Sequence, residues 1–147
     1  MLSHFVRGLI DGLLSTLGVV IGASAADTAI VLAAGIGGAV ANGVSNCLGA
    51  FSSEEYKGHM YIQKIEQAMQ TKGLEDSQIG KKMKKERVKA GLLDGVSTII
   101  GGFIPVVPFI LLEHDQALIW SVISAVITLF VLGAYIGKVS KKWIILS

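Results

Sequence analysis

The chain has 147 residues, of which 52% are hydrophobic and only 16% are charged, against about 25% charged residues in an average globular domain. This composition excludes a disordered chain, and a single cysteine excludes both a disulfide framework and a cysteine-rich zinc site. The length allows one domain. The choice is therefore between an apolar soluble domain and a membrane protein, and the distribution of charge along the chain decides it.

The charged residues are concentrated in the middle of the chain. Residues 8–53 contain only two of them, Asp11 and Asp27, and residues 90–137 contain three, whereas residues 51–89 contain nine of the 13 basic residues. About 20 helical residues cross a hydrocarbon core of about 30 Å. Each apolar block is thus long enough for two membrane-spanning helices.

The sequence therefore predicts an all-α membrane protein whose four spans form two hairpins of like orientation in a single domain, residues 1–147. The spans are expected at about 5–25, 28–51, 90–112 and 117–137. Asp27 is expected to cap the second helix through its carboxylate, and residues 113–116 are expected to form the turn of the second hairpin. Residues 143–147 look like the beginning of a truncated fifth helix.

The basic residues predict the orientation in the membrane. In a four-span arrangement all 13 of them fall on one side, and the positive-inside rule makes that side cytosolic. The N-terminus, the central segment and the C-terminus are then cytosolic, and the basic cluster at 81–89 lies where it attracts anionic lipid headgroups or acts as a topology signal alone. This cluster has no interleaved aromatic residues, so we expect no nucleic-acid binding. The sequence contains no catalytic constellation, and we expect no enzyme.

A short repeat links the first and third spans. Gly8-Leu-Ile-Asp-Gly recurs as Gly91-Leu-Leu-Asp-Gly, and a Ser-Thr pair follows in both copies. The repeated glycines are expected to allow close helix packing; they are Gly8, Gly12, Gly91 and Gly95. Asp11 and Asp94, one in each copy, have two open interpretations. They either lie in a first turn wetted by headgroup water or form a cation or proton site in a cytosolic vestibule.

The second and third spans carry further candidates for the transport pathway. Asn42, Ser45 and Asn46 lie on one helix face, where they either make interhelical hydrogen bonds or supply neutral oxygen ligands. In the third span, Pro105 and Pro108 are expected to break the helix and free two carbonyls for hydrogen bonds or a cation. A simple kink is the alternative.

The central segment, residues 52–89, is expected to be a cytosolic helical insertion. The second span continues as a helix to about Gln70, a turn follows at 73–77, and a second short helix leads into the third span. Glu55, His59 and Glu66 share a helix face, with Met60 nearby. These side chains form either a site that collects Mn²⁺ or Fe²⁺ or a solvated polar face.

Four segments of the chain together resemble the vacuolar iron transporter family of divalent-cation transporters. The residues that carry the resemblance lie at 8–12, 29–36, 44–51 and 101–109. The resemblance implies a homodimeric carrier that moves Fe²⁺ or Mn²⁺ out of the cytosol in exchange for protons. The metal ion is then the substrate, and no permanently bound cofactor is implied. Asp11 matches the family's intramembrane aspartate, and residues 52–89 match its cytosolic metal-collecting helices.

Two positions differ from the family's pattern. A glutamate of the family's second span falls at Gly38, and a methionine one or two turns further on falls at Asn46. The family has five spans, whereas this chain has four and the short segment at 143–147. These differences leave an alternative function open: a membrane scaffold or accessory subunit that keeps the fold, has lost the pore ligands and transports nothing.

Overall fold

The computed structural model describes the backbone of residues 2–144 and the side chains of residues 2–138. Four long helices account for nearly all of this part of the chain. They are α1 (Leu2–Gly22), α2 (Thr28–Met69), α3 (Gln78–Leu111) and α4 (His114–Ile144), with a 3₁₀ turn at Leu74–Asp76. All four helices are long and apolar enough to cross a membrane. The prediction of an all-α protein with four membrane spans is confirmed.

The boundaries of α2 agree with the sequence, but its N-cap works differently from the prediction. Asp27 is the N-cap residue and has extended backbone angles, yet its side chain makes no capping hydrogen bond. A capping carboxylate would accept a hydrogen bond from the N–H of Ile30. This N–H donates instead to the backbone carbonyl of Asp27 at 2.9 Å. At the other end, Gln70 adopts left-handed angles and ends the helix.

α3 is one continuous helix, so the expected break at the prolines and the separate short helix before the third span are both wrong. The helix begins behind Ser77, whose Oγ accepts a hydrogen bond from the N–H of Gly80 at 3.3 Å. It has no glycine or proline between Gly80 and Gly91, so nothing interrupts it before the membrane. Pro105 is fully buried, and its carbonyl accepts a hydrogen bond from Ser121 Oγ at 2.6 Å. Tight packing thus holds the helix together despite the lost backbone N–H groups.

The turn between α3 and α4 is shorter than the predicted 113–116, because α4 begins at His114. The imidazole of His114 makes two hydrogen bonds to the connection between α1 and α2. Nε2 lies 2.8 Å from the Ser24 carbonyl and Nδ1 lies 3.0 Å from Thr28 Oγ1. Asp115 in the first turn also favours a helix start there. α4 continues to Ile144, so Trp143 and Ile144, where the beginning of a fifth helix is expected, belong to α4; the rest of that expected segment, residues 145–147, lies outside the described residues.

The bundle has two distinct ends. At the polar end lie the beginning of α1, the polar half of α2 after residue 51 and the first turns of α3. At the loop end lie the two short connections, residues 23–27 and 112–113. The main apolar core is near the loop end and is formed by Val20, Val31, Val106, Phe109 and Ala117.

α3 is clamped between α1 and α2 by the repeated glycines. A Cβ at Gly8 or Gly12 would collide with the backbone of α3, while a Cβ at Gly95 would lie 2.7 Å from Cys47 Cβ on α2 and one at Gly91 would lie 2.9 Å from the Cys47 carbonyl. The two copies of the motif therefore pack against different helices. This close approach brings polar side chains of α1, α2 and α3 within hydrogen-bonding distance of each other.

Candidate functional site

The carboxylate of Asp11 on α1 is held by two amides from α2. Asp11 Oδ2 accepts hydrogen bonds from Asn42 Nδ2 at 2.9 Å and from Asn46 Nδ2 at 2.6 Å. The two asparagines are four residues apart and so share a helix face, as the sequence predicts. Of the three polar residues predicted along α2, these two meet Asp11.

The remaining N–H of each amide is also used. Asn42 donates to Ser15 Oγ at 2.7 Å and Asn46 donates to Thr98 Oγ1 at 2.9 Å. A side-chain amide has two N–H groups, and in both asparagines each of them donates to a side chain of this cluster. Within the described part of the chain, no hydrogen bond occupies their carbonyl oxygens or Asp11 Oδ1. The cluster therefore retains oxygen atoms that a cation could bind.

Asp11 has no positively charged partner among the described side chains, since every ion pair found there involves other acids. Its side chain is exposed on the surface of the single chain. It lies in a groove of about 660 Å³ between α1 and α4 that is lined mainly by apolar side chains, including Ile10, Leu14 and Ile136, and also by Arg7. A carboxylate that is held by neutral amides and has no ion-pair partner among the described side chains is suited to bind a cation or a proton.

The second aspartate of the repeat has a different environment. Asp94 is 0% exposed, and its Oδ2 accepts a hydrogen bond from Arg7 Nη2 in an ion pair. His4 Nδ1 lies 4.0 Å from the same oxygen, and His4 Nε2 lies 3.6 Å from Glu54 Oε1. The structure thus does not bring Asp11 and Asp94 into one site. Asp94 belongs to a charge-compensated cluster at the polar end.

Ser45 does not join the Asp11 network. It lies on the outer face of α2, in line with three other small residues that are four positions apart and equally exposed. This stripe consists of Ala33, Gly37, Ala41 and Ser45. No atom of another helix lies within 4 Å of a Cβ built on Gly37. The stripe is therefore a surface that a second helix could approach closely.

The structure brings two members of the predicted metal-collecting face of α2 together, since Glu55 and His59 line one cavity of about 290 Å³, whereas Glu66 lies outside its lining. Glu55 pairs with Arg87, His59 Nδ1 lies 2.9 Å from Glu75 Oε1, and Glu66 Oε1 accepts from the backbone N–H of Leu74 at 2.9 Å. Each side chain has its own partner because α3 and the 3₁₀ turn fold back against this part of α2. Met60 is exposed. The described residues contain no group of three or more His, Cys, Asp or Glu able to hold a metal ion.

The candidate site residues named from the sequence do not include four residues of these two clusters. They are Ser15 and Thr98 beside Asp11, and Arg7 and His4 beside Asp94. The repeated Ser-Thr pair that follows each Gly-x-x-Asp-Gly motif is the sequence signal for the first two. For Arg7 and His4 the local sequence gives no such signal, since their partners lie more than 40 residues away.

The fold and the site define a multi-pass integral membrane protein in which the carboxylate of Asp11 meets neutral polar side chains. A family model described as the VIT family matches residues 2–76 and 61–147. The chain belongs to this family, the vacuolar iron transporters that its sequence resembles, and membership indicates membrane transport of metal ions. The chain is also 48% identical to an uncharacterized protein of Methanocaldococcus jannaschii, over 98% of this chain and 77% of the relative. No solved structure matches it.

Proposed function

We propose that the protein is a secondary transporter that exports Fe²⁺ or Mn²⁺ from the cytosol in exchange for protons, with Asp11 as the residue that binds the ion. The observation that carries the proposal is the carboxylate of Asp11, which is held by the neutral amides of Asn42 and Asn46. Membership of the VIT family supports transport of a metal ion. The orientation that goes with export has the polar end in the cytosol.

The chemistry of the cluster fits such a substrate. Carboxylate, amide carbonyl and hydroxyl oxygens are ligands for hard divalent cations such as Mn²⁺. Counted from Phe5, Asp11 is about 9 Å along α1, close to the boundary of the hydrocarbon core, where a free carboxylate is costly. Binding of a cation neutralises the carboxylate and lowers this energetic cost, and binding of a proton does the same when the cation has left. Alternate occupancy by the two is the basis for exchange.

The proposal includes a homodimer. Asp11 and the small-residue stripe of α2 are both exposed on the single chain, and lipid would be a poor neighbour for the carboxylate. In the proposed dimer, a second copy of the chain packs through the stripe and removes its neighbouring polar side chains from lipid. The polar side chains of the two copies would then line one pathway.

The test is metal uptake into proteoliposomes. Wild-type protein is expected to move Mn²⁺ and Fe²⁺ with proton movement in the opposite direction, and Asp11→Asn is expected to abolish uptake, because it removes the charge and keeps the shape. Asp27→Asn is the matched control, since Asp27 is exposed and its side chain makes no capping hydrogen bond. Undiminished uptake in Asp11→Asn would reject the site. No uptake by wild-type protein, together with a stable hetero-oligomer, would favour the scaffold instead.

A further inference from the structure

We propose that Thr98 of α3 is a positioning residue for the cation site, which it controls through Asn46. The inference rests on the proposed role of Asp11 as the ion-binding residue. Thr98 is 0% exposed and therefore contacts no solvent or lipid. Its hydroxyl lies between the two aspartates of the repeat, in contact with Asn46 on one side and with the backbone of Asp94 on the other.

The hydroxyl of Thr98 and the carboxylate of Asp11 both accept from the nitrogen of the Asn46 amide, and Thr98 anchors that amide to α3. Thr98 Oγ1 donates its single hydrogen to the Asp94 carbonyl at 2.8 Å. Toward Asn46, 2.9 Å away, it can only accept, because a hydroxyl has one hydrogen. Asn46 must therefore present its nitrogen to Thr98, and a rotation of the amide by half a turn would set two acceptors against each other.

The fixed amide in turn fixes the carboxylate. The second N–H of Asn46 reaches Asp11 Oδ2 at 2.6 Å, the shortest of the hydrogen bonds that the described residues make to this carboxylate. Asn42, the other donor, is anchored only by Ser15, which lies on the same helix as Asp11. Thr98 is thus the point at which the central helix α3 holds the ion-binding carboxylate in place. Loss of the hydroxyl detaches Asn46 from α3, so the amide follows Asp11 and leaves the carboxylate less well oriented for a cation.

The neighbouring residue is a built-in control. Ser97 is also buried, and its hydroxyl also donates to the Asp94 carbonyl, at 3.0 Å. Within the described part of the chain, Ser97 makes no hydrogen bond to Asn46. Removal of either hydroxyl takes one hydrogen bond from Asp94, but only removal of the Thr98 hydroxyl releases Asn46. The difference between the two variants isolates the positioning role from a general effect on packing.

The experiment measures Mn²⁺ affinity in two ways, as the free-Mn²⁺ EPR signal during titration of purified protein and as the KM of Mn²⁺ uptake into proteoliposomes. Thr98→Val is expected to weaken both about fivefold, the factor that one hydrogen bond of ordinary net strength is worth. Thr98→Ser keeps the hydroxyl and is expected to have a Mn²⁺ affinity within about twofold of wild type. Ser97→Ala is expected to stay within the same factor of about two. Thr98→Ala provides the same hydroxyl deletion if the valine variant does not fold.

A double-mutant comparison gives the sharpest result. In an Asn46→Ala background, Thr98→Val is expected to have no further effect on Mn²⁺ affinity, because the link is already lost. Unchanged affinity in Thr98→Val, equal weakening by Ser97→Ala, or no Mn²⁺ binding that depends on Asp11 would each overturn the inference. Mn²⁺ binding that responds to Thr98 in a protein without uptake would uphold the inference and reject the proposed transport.

Discussion

The ion pair between Arg7 and Asp94 is the interaction whose loss we expect to destabilise the fold most clearly. Arg7→Gln leaves the carboxylate of Asp94, 0% exposed, without its cation. Breaking a buried pair by removing one partner costs about 3–5 kcal/mol. The Arg7 side chain is 58% exposed and His4 Nδ1 lies 4.0 Å from the same carboxylate oxygen, so we expect a smaller loss of about 2–3 kcal/mol, at or below the lower limit of that range.

Thermal or SDS unfolding of the protein in mild detergent measures this loss. The double variant Arg7→Gln with Asp94→Asn removes both charges and is expected to recover more than half of the lost stability, because no buried charge then remains. If Arg7→Gln unfolds within about 0.5 kcal/mol of wild type, the range usual for a surface substitution, Asp94 does not depend on Arg7. Additive losses in the double variant would also contradict the reasoning.

Two further predictions concern packing and pH. Gly12→Ala is expected to cost about 1–3 kcal/mol, because its Cβ would collide with the Thr98 carbonyl, whereas Gly18→Ala on the same helix meets no atom within 4 Å and should be neutral or stabilising; equal effects in detergent unfolding would refute the contact. A hydrogen bond from Lys57, followed by the charges of Lys57 and His4, holds the pKa of Glu54 below its ordinary value of 4.5. The stability contributed by ionised Glu54 is therefore present above about pH 4.5 and lost as the pH falls through the lowered pKa. Glu54→Gln should flatten this acid-side loss, and an unchanged pH profile would contradict the assignment.

Much of the fold follows from local patterns in the sequence. The lengths of the apolar blocks give the four spans, and the start of α2 at Thr28 and its end near Gln70 follow from an N-cap aspartate and a polar turn. The errors arise where packing overrides a local rule. Pro105 and Pro108 should end a helix, yet α3 continues through them to Leu111 because the buried Pro105 is fixed by its neighbours and by Ser121.

The candidate site is only partly predictable in the same way. Helical spacing puts Asn42 and Asn46 on one face, and a carboxylate in an apolar block marks Asp11. The spacing of Glu55, His59 and Glu66 is also regular, yet only Glu55 and His59 line a common cavity, because each side chain also finds a separate partner when α3 and the 3₁₀ turn fold against α2. A helix face in the sequence gives the direction of side chains and says nothing about which neighbouring helix meets them.

The sequence by itself determined that this chain is a four-span helical membrane protein with two equivalent Gly-x-x-Asp-Gly motifs. Only the tertiary structure decided that the two aspartates differ. Asp94 is buried against Arg7, while Asp11 is met by neutral amides and lies on an exposed face. The physical reason is that the charge state and accessibility of a carboxylate depend on groups from other helices. The two motifs pack against different helices, so nearly identical local sequences acquire different surroundings.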